Sequence, residues 1–241
     1  MKIIKTKDLH YFIYTDLKKK TIIDLGYNDG SFEKNINNIF PQYDYIAVEA
    51  NPIFKKTIKA KLLNYIISNR SNEISTFGID ICNSGNSSSI YLLNKKKIKV
   101  KTISLKDLYE LSKFTIIDIL KIDVEFSEYK ILTKKSISFL SKNTKQIVVE
   151  FHQNNKKTYT KKIKFILKLF ESYNFYIKKF SSPKTEAGSY LFLNKDLIDV
   201  GFLLITKINC YKYYDLILRF FNYSNYFLTI KNYLIIKKFL K

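Results

Sequence analysis

Two hydrophobic patterns take turns along this chain. Short, nearly continuous apolar runs at Thr21 to Leu25, Tyr45 to Val48, Ile74 to Ile79, Ile116 to Val124, Gln146 to Phe151, Asn174 to Phe180 and Ser189 to Asn194 predict strands. The run Ile116 to Val124 has the unbroken character of a strand covered on both faces. Between these runs, apolar residues spaced near 3.6 predict helices at 31–40, 53–63, 128–141 and 156–173. Residues 69–73 read as a turn, and 90–93 with 98–102 as a hairpin. Ser104 is a candidate N-cap with Asp107 at the third helical position, a capping role rather than a chemical one. Strand and helix alternate as a doubly wound, Rossmann-like α/β sheet requires. The first twenty residues, mixed basic and aromatic, predict a short helix or strand over one edge of that sheet. His10, the one histidine in that segment, is read as structural, with a lid role for the segment open.

Chemistry enters at Thr21 to Asn51, one βαβ unit whose first turn carries Gly26 and Gly30. Glycines there can take positive φ and let backbone N–H groups approach a ligand, at the positive end of the helix that follows. Glu49 falls about 20 residues on, at the tip of the next strand, where a carboxylate can accept both hydroxyls of a ribose. An adenosine-bearing ligand is expected. The turn lacks the G-x-G-x-x-G fingerprint, and no G-x-x-x-x-G-K-[ST] loop occurs, so a pyrophosphate is poorly served. Asp24 and Asp29 repel phosphate but suit a sulfonium and an α-amino group. These features favour S-adenosylmethionine. Asp80, at the tip of the expected third strand, is a candidate neighbour of the adenine; a surface aspartate explains it equally well.

Four segments resemble the FkbM-type methyltransferases. The turn is similar to their D-x-G-x-N-x-G, here Asp24, Gly26, Asn28 and Gly30, and the next strand tip to their E-x-N-P, here Glu49-Ala50-Asn51-Pro52. Ile119 to Glu128 resembles their L-K-I-D-V-E-G-x-E, and Val148 to His152 their v-E-x-H strand, in matching order over roughly 19–195. The resemblance implies a seven-stranded class I methyltransferase sheet. Its last strand would run antiparallel between the fifth and sixth. It further implies a cofactor site of Asp24, Gly26, Asn28, Gly30, Glu49 and Asn51, and acceptor hydroxyls on sugars, glycolipids or other small molecules. Two positions depart from the pattern: Tyr27 follows the first glycine, and Phe126 stands where the family has glycine. The first bears on how the methionine end of the cofactor sits. The second bears on the acceptor side, or marks a weakened enzyme.

Side-chain alternation puts Lys121, Asp123 and Glu125 on one side near the end of their strand. Glu150 and His152 fall together on the neighbouring strand, so His152 and Asp123 are expected to face one crevice. This makes His152 the preferred base, with Asp123 as alternate and Lys121 and Glu125 beside them. Glu128 is read as complementing a helix dipole. A metal held by Asp123, Glu150 and His152 is the rival explanation; with one histidine and no helical ligand spacing, no metal is assigned.

Composition adds a question of partners. The 42 basic and 21 acidic residues of the 241 give a net charge of +21, which invites an anionic partner unless it is simple Lys-rich compositional bias. The tail 196–241 interleaves aromatic and basic residues, predicting a helical extension packed on the domain. Contact with a membrane surface or single-stranded nucleic acid stays open for it. Three parts are expected: a cap at 1–20, a methyltransferase domain at 21–195 and the extension at 196–241. Cys82 and Cys210 are far apart, the N-terminus is not secretory in type and no run is long enough to span a membrane. A cytoplasmic protein, at most peripheral to a membrane, is the expectation. Two readings compete with the small-molecule O-methyltransferase. One is an RNA 2′-O-methyltransferase; the other is a binding or scaffold protein on a decayed fold, for which Tyr27 and Phe126 speak.

Overall fold

The computed structural model describes residues 2–6, 10–14, 16, 18–54, 57–79, 96–152, 156–181, 187–201, 205–206 and 208–209. The chain divides into two compact units, 1–200 and 201–241. In the first, β1 (Lys2–Lys5) and β2 (Tyr11–Tyr14) form an antiparallel pair. The nucleotide-type unit follows as β3 (Lys20–Leu25), α1 (Ser31–Ile39) and β4 (Tyr43–Val48). After it come β5 (Lys61–Leu63), β6 (Ile66–Ser68), β7 (Ile74–Ile79), β8 (Lys96–Ser104) and α2 (Leu105–Ser112). The second half holds β9 (Ile117–Ile122), α3 (Glu128–Ile131), α4 (Lys134–Asn143), β10 (Thr144–Phe151), α5 (Lys156–Ser172), β11 (Phe175–Lys179) and β12 (Gly188–Asn194).

The main sheet has seven strands in the order β11-β12-β10-β9-β3-β4-β5. Strands β10, β9, β3, β4 and β5 are mutually parallel, and β12 lies antiparallel between β10 and β11. This is the class I methyltransferase arrangement. Strand alternation sends Ile23, Leu25, Leu120, Ile122, Ile147 and Val149 into one core with Leu108 of α2, Leu140 of α4 and Phe170 of α5. Their neighbours Ile22, Asp24, Ile119, Lys121 and Val148 are equally buried, so both faces are covered. On the second face, Phe12 of β2 meets Phe32 and Phe40, which come from α1 and its C-terminal cap.

Four expectations about elements are corrected. The N-terminal segment covers a face of the sheet, not an edge: Ile13 exchanges backbone hydrogen bonds with the Gln146 side chain of the interior strand β10. The helix expected at 53–63 is absent among the described residues. There the N–H groups of Ile58, Lys59 and Ala60 all donate to the buried Glu33 carboxylate of α1, and Lys61–Leu63 pairs in parallel beside β4 as the edge strand β5. Strand Ile74–Ile79 is not the third strand of the main sheet. It pairs antiparallel with β8, which pairs parallel with β6, in a separate three-stranded sheet. The helix expected at 128–141 is two helices, because Thr133 opens α4 with a capping box to Ser136. Ser104 caps α2 as expected, accepting from the Asp107 N–H. Asp80, Cys82, residues 90–93 of the expected hairpin, Cys210 and nearly all of the aromatic tail lie outside the described residues. No described helix is long and apolar enough to cross a membrane.

Candidate active site

The turn after β3 is fixed from both sides. Gly26 takes φ +87°, and a Cβ on it would lie 1.8 Å from the carbonyl oxygen of Asp123, so the ends of β3 and β9 touch there. Its N–H donates to Val48 at 3.0 Å, and its carbonyl accepts from Lys121 Nζ at 2.8 Å. Asn28, at φ +51°, aims its N–H at Glu49 Oε2 (2.9 Å), while Asn51 N–H donates to Oε1 (2.8 Å). Glu49 is thus oriented by two backbone donors and keeps further acceptor capacity on both oxygens. Burial raises its pKa, and those two N–H groups oppose the rise. Gly30 caps α1 at φ +75°, over the Tyr27 ring, whose hydroxyl donates to Glu33 at 2.7 Å.

Beside this turn lies a solvent-open cleft with a cavity volume of about 100 Å³. Gly26, Asn28 and Glu49 line one side, Phe54, Ile67 and Phe77 supply apolar wall, and Asp123, Glu125 and Ser127 of the loop after β9 close the far end. Asn28 Oδ1 is buried there and has no hydrogen-bond partner among the described residues.

A charged cluster sits at the far end. Lys121 Nζ donates to the fully buried Asp24 at 3.1 Å and lies 3.6 Å from Asp123 Oδ2. Burial raises the pKa of Asp24 against the pull of Lys121 and Tyr45. Burial would raise Asp123 too, but Lys121, His10 and His152 outweigh it and hold that carboxyl well below the usual range. His10, fully buried, puts Nε2 3.3 Å from Asp123 Oδ2. His152 puts Nε2 3.7 Å from both Asp123 and Glu125, and Nδ1 2.9 Å from Glu128. Burial alone would lower His152, yet Glu128, Asp123 and Glu125 push it up to about 9. Burial raises Glu125, Glu128 and Glu150, in each case with Asp123 adding to the rise and His152 opposing it.

The structure brings Lys121, Asp123, Glu125 and His152 into one cluster. The acids around His152 favour its imidazolium, a form that donates a proton more readily than it accepts one. Glu125 follows the end of β9 at φ +42°, so strand alternation does not place it; it reaches the cleft through the turn. Of the expected cofactor residues, Gly26, Asn28 and Glu49 line the cleft, and Gly30 fixes the helix start beside it. Asp24 lies beneath the turn, and Asn51 is buried with its side chain accepting from Ile53 N–H; neither lines the cleft. Asp80 lies outside the described residues, and its strand belongs to the second sheet. Three residues were missed. Both of the chain's histidines approach Asp123, although His10 was read as structural. Glu128, last acid of the Ile119–Glu128 block, opens α3, where its charge suits the helix dipole, and from that buried position it also holds His152. Glu33 organises the chain after β4.

The His152 pair predicts a pH effect on stability. The folded-state value of about 9 lies above the ordinary 6.5, so the stabilisation is complete below pH 6.5 and is lost as pH rises through about 9. The shift corresponds to about 3 kcal/mol before the opposing contribution of Glu128's own raised value. Thermal melts, run with a chelator present, are expected to fall between about pH 6.5 and 9.5, and Glu128→Gln to flatten that fall. An unchanged pH profile in the variant would contradict the assignment.

Among solved structures, the chain is similar to the METTL16 methyltransferase domain at 10% identity and TM-score 0.43, covering 73% of this chain and 60% of that one, under two thirds of its length. It is similar to Aeropyrum pernix fibrillarin with natively bound S-adenosyl-L-methionine at 10% identity and TM-score 0.44, covering 80% and 81%. A putative O-methyltransferase from Klebsiella pneumoniae is similar at 9% identity and TM-score 0.42, covering 72% of each. No curated protein matches. The model of the methyltransferase FkbM domain matches residues 24–177, which takes in the glycine turn, Glu49, the Asp123 loop and His152, and the chain belongs to that family.

Proposed function

We infer that this protein is an S-adenosylmethionine-dependent methyltransferase acting on a hydroxyl of a sugar, glycolipid or other small molecule. The observation that carries the reading is the pairing of the backbone-locked Glu49 with the buried, unpartnered Asn28 Oδ1 on one wall of the cleft. That wall presents a carboxylate and a buried amide oxygen as acceptors, which fits ribose hydroxyls and an ammonium and disfavours a phosphate. Glu49 would hold the ribose, Asn28 a donor of the cofactor, and Phe54, Ile67 and Phe77 the adenine. S-adenosylmethionine supplies an electrophilic methyl group on a sulfonium. The chain supplies an acidic far wall that favours that cation, and a base. Glu125 fits the base better than His152 or Asp123: its carboxylate lines the cleft with 39% exposure and burial raises its pKa, whereas Asp123 is held strongly ionised. His152 and Glu128 act as positioning residues for Asp123 and Glu125. Phe126, 5.6 Å from the His152 ring and 6.1 Å from Tyr159, would wall the acceptor side.

Of the two residues that speak for the binding-protein reading, Tyr27 and Phe126, the first is turned under α1 and does not line the cleft. The test is calorimetric binding of S-adenosylmethionine and S-adenosylhomocysteine. Both are expected to bind, and Glu49→Ala, which removes the ribose acceptor, to weaken them by at least about a hundredfold, the worth of two hydrogen bonds to a charged group. Absence of binding by either compound would sink the enzyme reading.

A further inference from the structure

We propose that His10, Asp123 and Glu150 form a site for one divalent first-row transition-metal ion at the acceptor end of the cleft. Their donor atoms all lie within 4.8 Å of one another. The His10 Nε2 to Asp123 Oδ2 distance, 3.3 Å, serves a direct contact and equally suits a shared ion, since two ligands about 2.1 Å from a tetrahedral centre stand about 3.4 Å apart. The three come from three different elements, and each is anchored. Thr6 fixes the His10 backbone by exchanging hydrogen bonds with it. Asp123 N–H donates to Leu25 of β3, and Glu150 ends β10 in register with Ser189 of β12. One imidazole with two carboxylates is a mixed N/O set, suited to Mn²⁺ or Zn²⁺ more than to Mg²⁺.

Charge points the same way. Lys121 is matched by Asp24, and His152 by Glu128, which leaves Asp123, Glu125 and Glu150 in excess over the cations that contact them. A divalent ion neutralises that excess. Asp123 is the ligand that also lines the cleft, so the ion would stand where an acceptor hydroxyl enters. Bound to it, the hydroxyl becomes more acidic and gives its proton to the Glu125 carboxylate. This role rests on the methyltransferase reading; the binding itself does not.

The experiment is titration of the full, chelator-treated chain with Mn²⁺ alone, counting free ion by electron paramagnetic resonance. One ion per chain is expected, with affinity reduced at least about tenfold in Glu150→Gln and in His10→Asn. Circular dichroism checks the fold of each, and Glu150→Gln decides alone if the buried His10 change prevents folding. No stoichiometric binding, or equal binding by Glu150→Gln, overturns the proposal. S-adenosylhomocysteine binding measured on the same samples reports separately on the methyltransferase reading, so a metal-free protein that binds this compound refutes only the ion.

Discussion

Gly26→Ala is expected to leave no cooperatively folding protein. The added Cβ would stand 1.8 Å from the backbone oxygen of Asp123. That atom cannot swing aside as a flexible side chain could: Asp123 N–H is itself bound to the Leu25 carbonyl at 3.0 Å, and β3 and β9 are adjacent central strands. Relief would require parting the two strands where Ile22 to Leu25 pair with Ile119 to Ile122. The φ of +87° adds about 1–2 kcal/mol for any residue with a Cβ. Together the costs exceed about 4 kcal/mol, a large part of the 5–15 kcal/mol of an ordinary domain. The measurement is a thermal melt followed by circular dichroism on whatever soluble protein is obtained. A melt within a few degrees of the parent would contradict the contact between the two strand ends. Gly30→Ala serves as the comparison, because there the obstacle is the Tyr27 hydroxyl, 2.4 Å away and at the end of a side chain. It is expected to fold with a smaller loss.

The contrast between these two glycines reflects what a sequence can disclose. That Gly26 and Gly30 admit positive φ, and that Glu49 closes the same βαβ unit, are local facts, legible from spacing. The strands β9, β10 and β12 are likewise each announced by an apolar run, whereas the antiparallel insertion of β12 is what the family resemblance implies. What opposes Gly26 is a carbonyl 97 residues away in sequence, and nothing near Gly26 announces it. Residues 53–63 have helical spacing, yet the N–H groups of Ile58, Lys59 and Ala60, which a helix would have bonded to carbonyls four residues back, are taken by Glu33, and β4 offers an edge to pair with. A nonlocal carboxylate won over a local propensity. The place of His10 is hidden for a related reason. Its neighbours Tyr11 to Ile13 mark it as part of a strand pair, but only docking on β10 brings it to Asp123. The charge of His152 was equally hidden, since it depends on Glu128 being buried against the ring rather than placed at a solvated helix end.

Lys121→Met separates a structural lysine from a catalytic one. A lysine acting on the acceptor would, when removed, lower turnover and leave stability nearly untouched. Here the ammonium is 3% exposed and donates to the fully buried Asp24 and to the Gly26 carbonyl, while its distance to Asp123 is 3.6 Å. Removing it strands the Asp24 carboxylate in the interior with the Tyr45 hydroxyl as its remaining hydrogen-bond donor among the contacts described. Breaking a buried pair from one side costs about 3–5 kcal/mol, whereas replacing both partners by neutral groups is often close to neutral. Lys121→Met is therefore expected to lose about 3–5 kcal/mol in denaturant unfolding, and Asp24→Asn with Lys121→Met to recover most of it. The loss should shrink as pH falls: burial already holds the folded-state value of Asp24 above the ordinary 3.8, and without Lys121 it rises further, so the folded state takes up the proton that relieves the stranded charge. Cofactor affinity should fall as well, because the Gly26 carbonyl loses its donor and the turn its anchor. A Lys121→Met protein with parental stability and cofactor affinity but depressed turnover would return Lys121 to the reacting groups and leave Asp24 neutral in the folded chain.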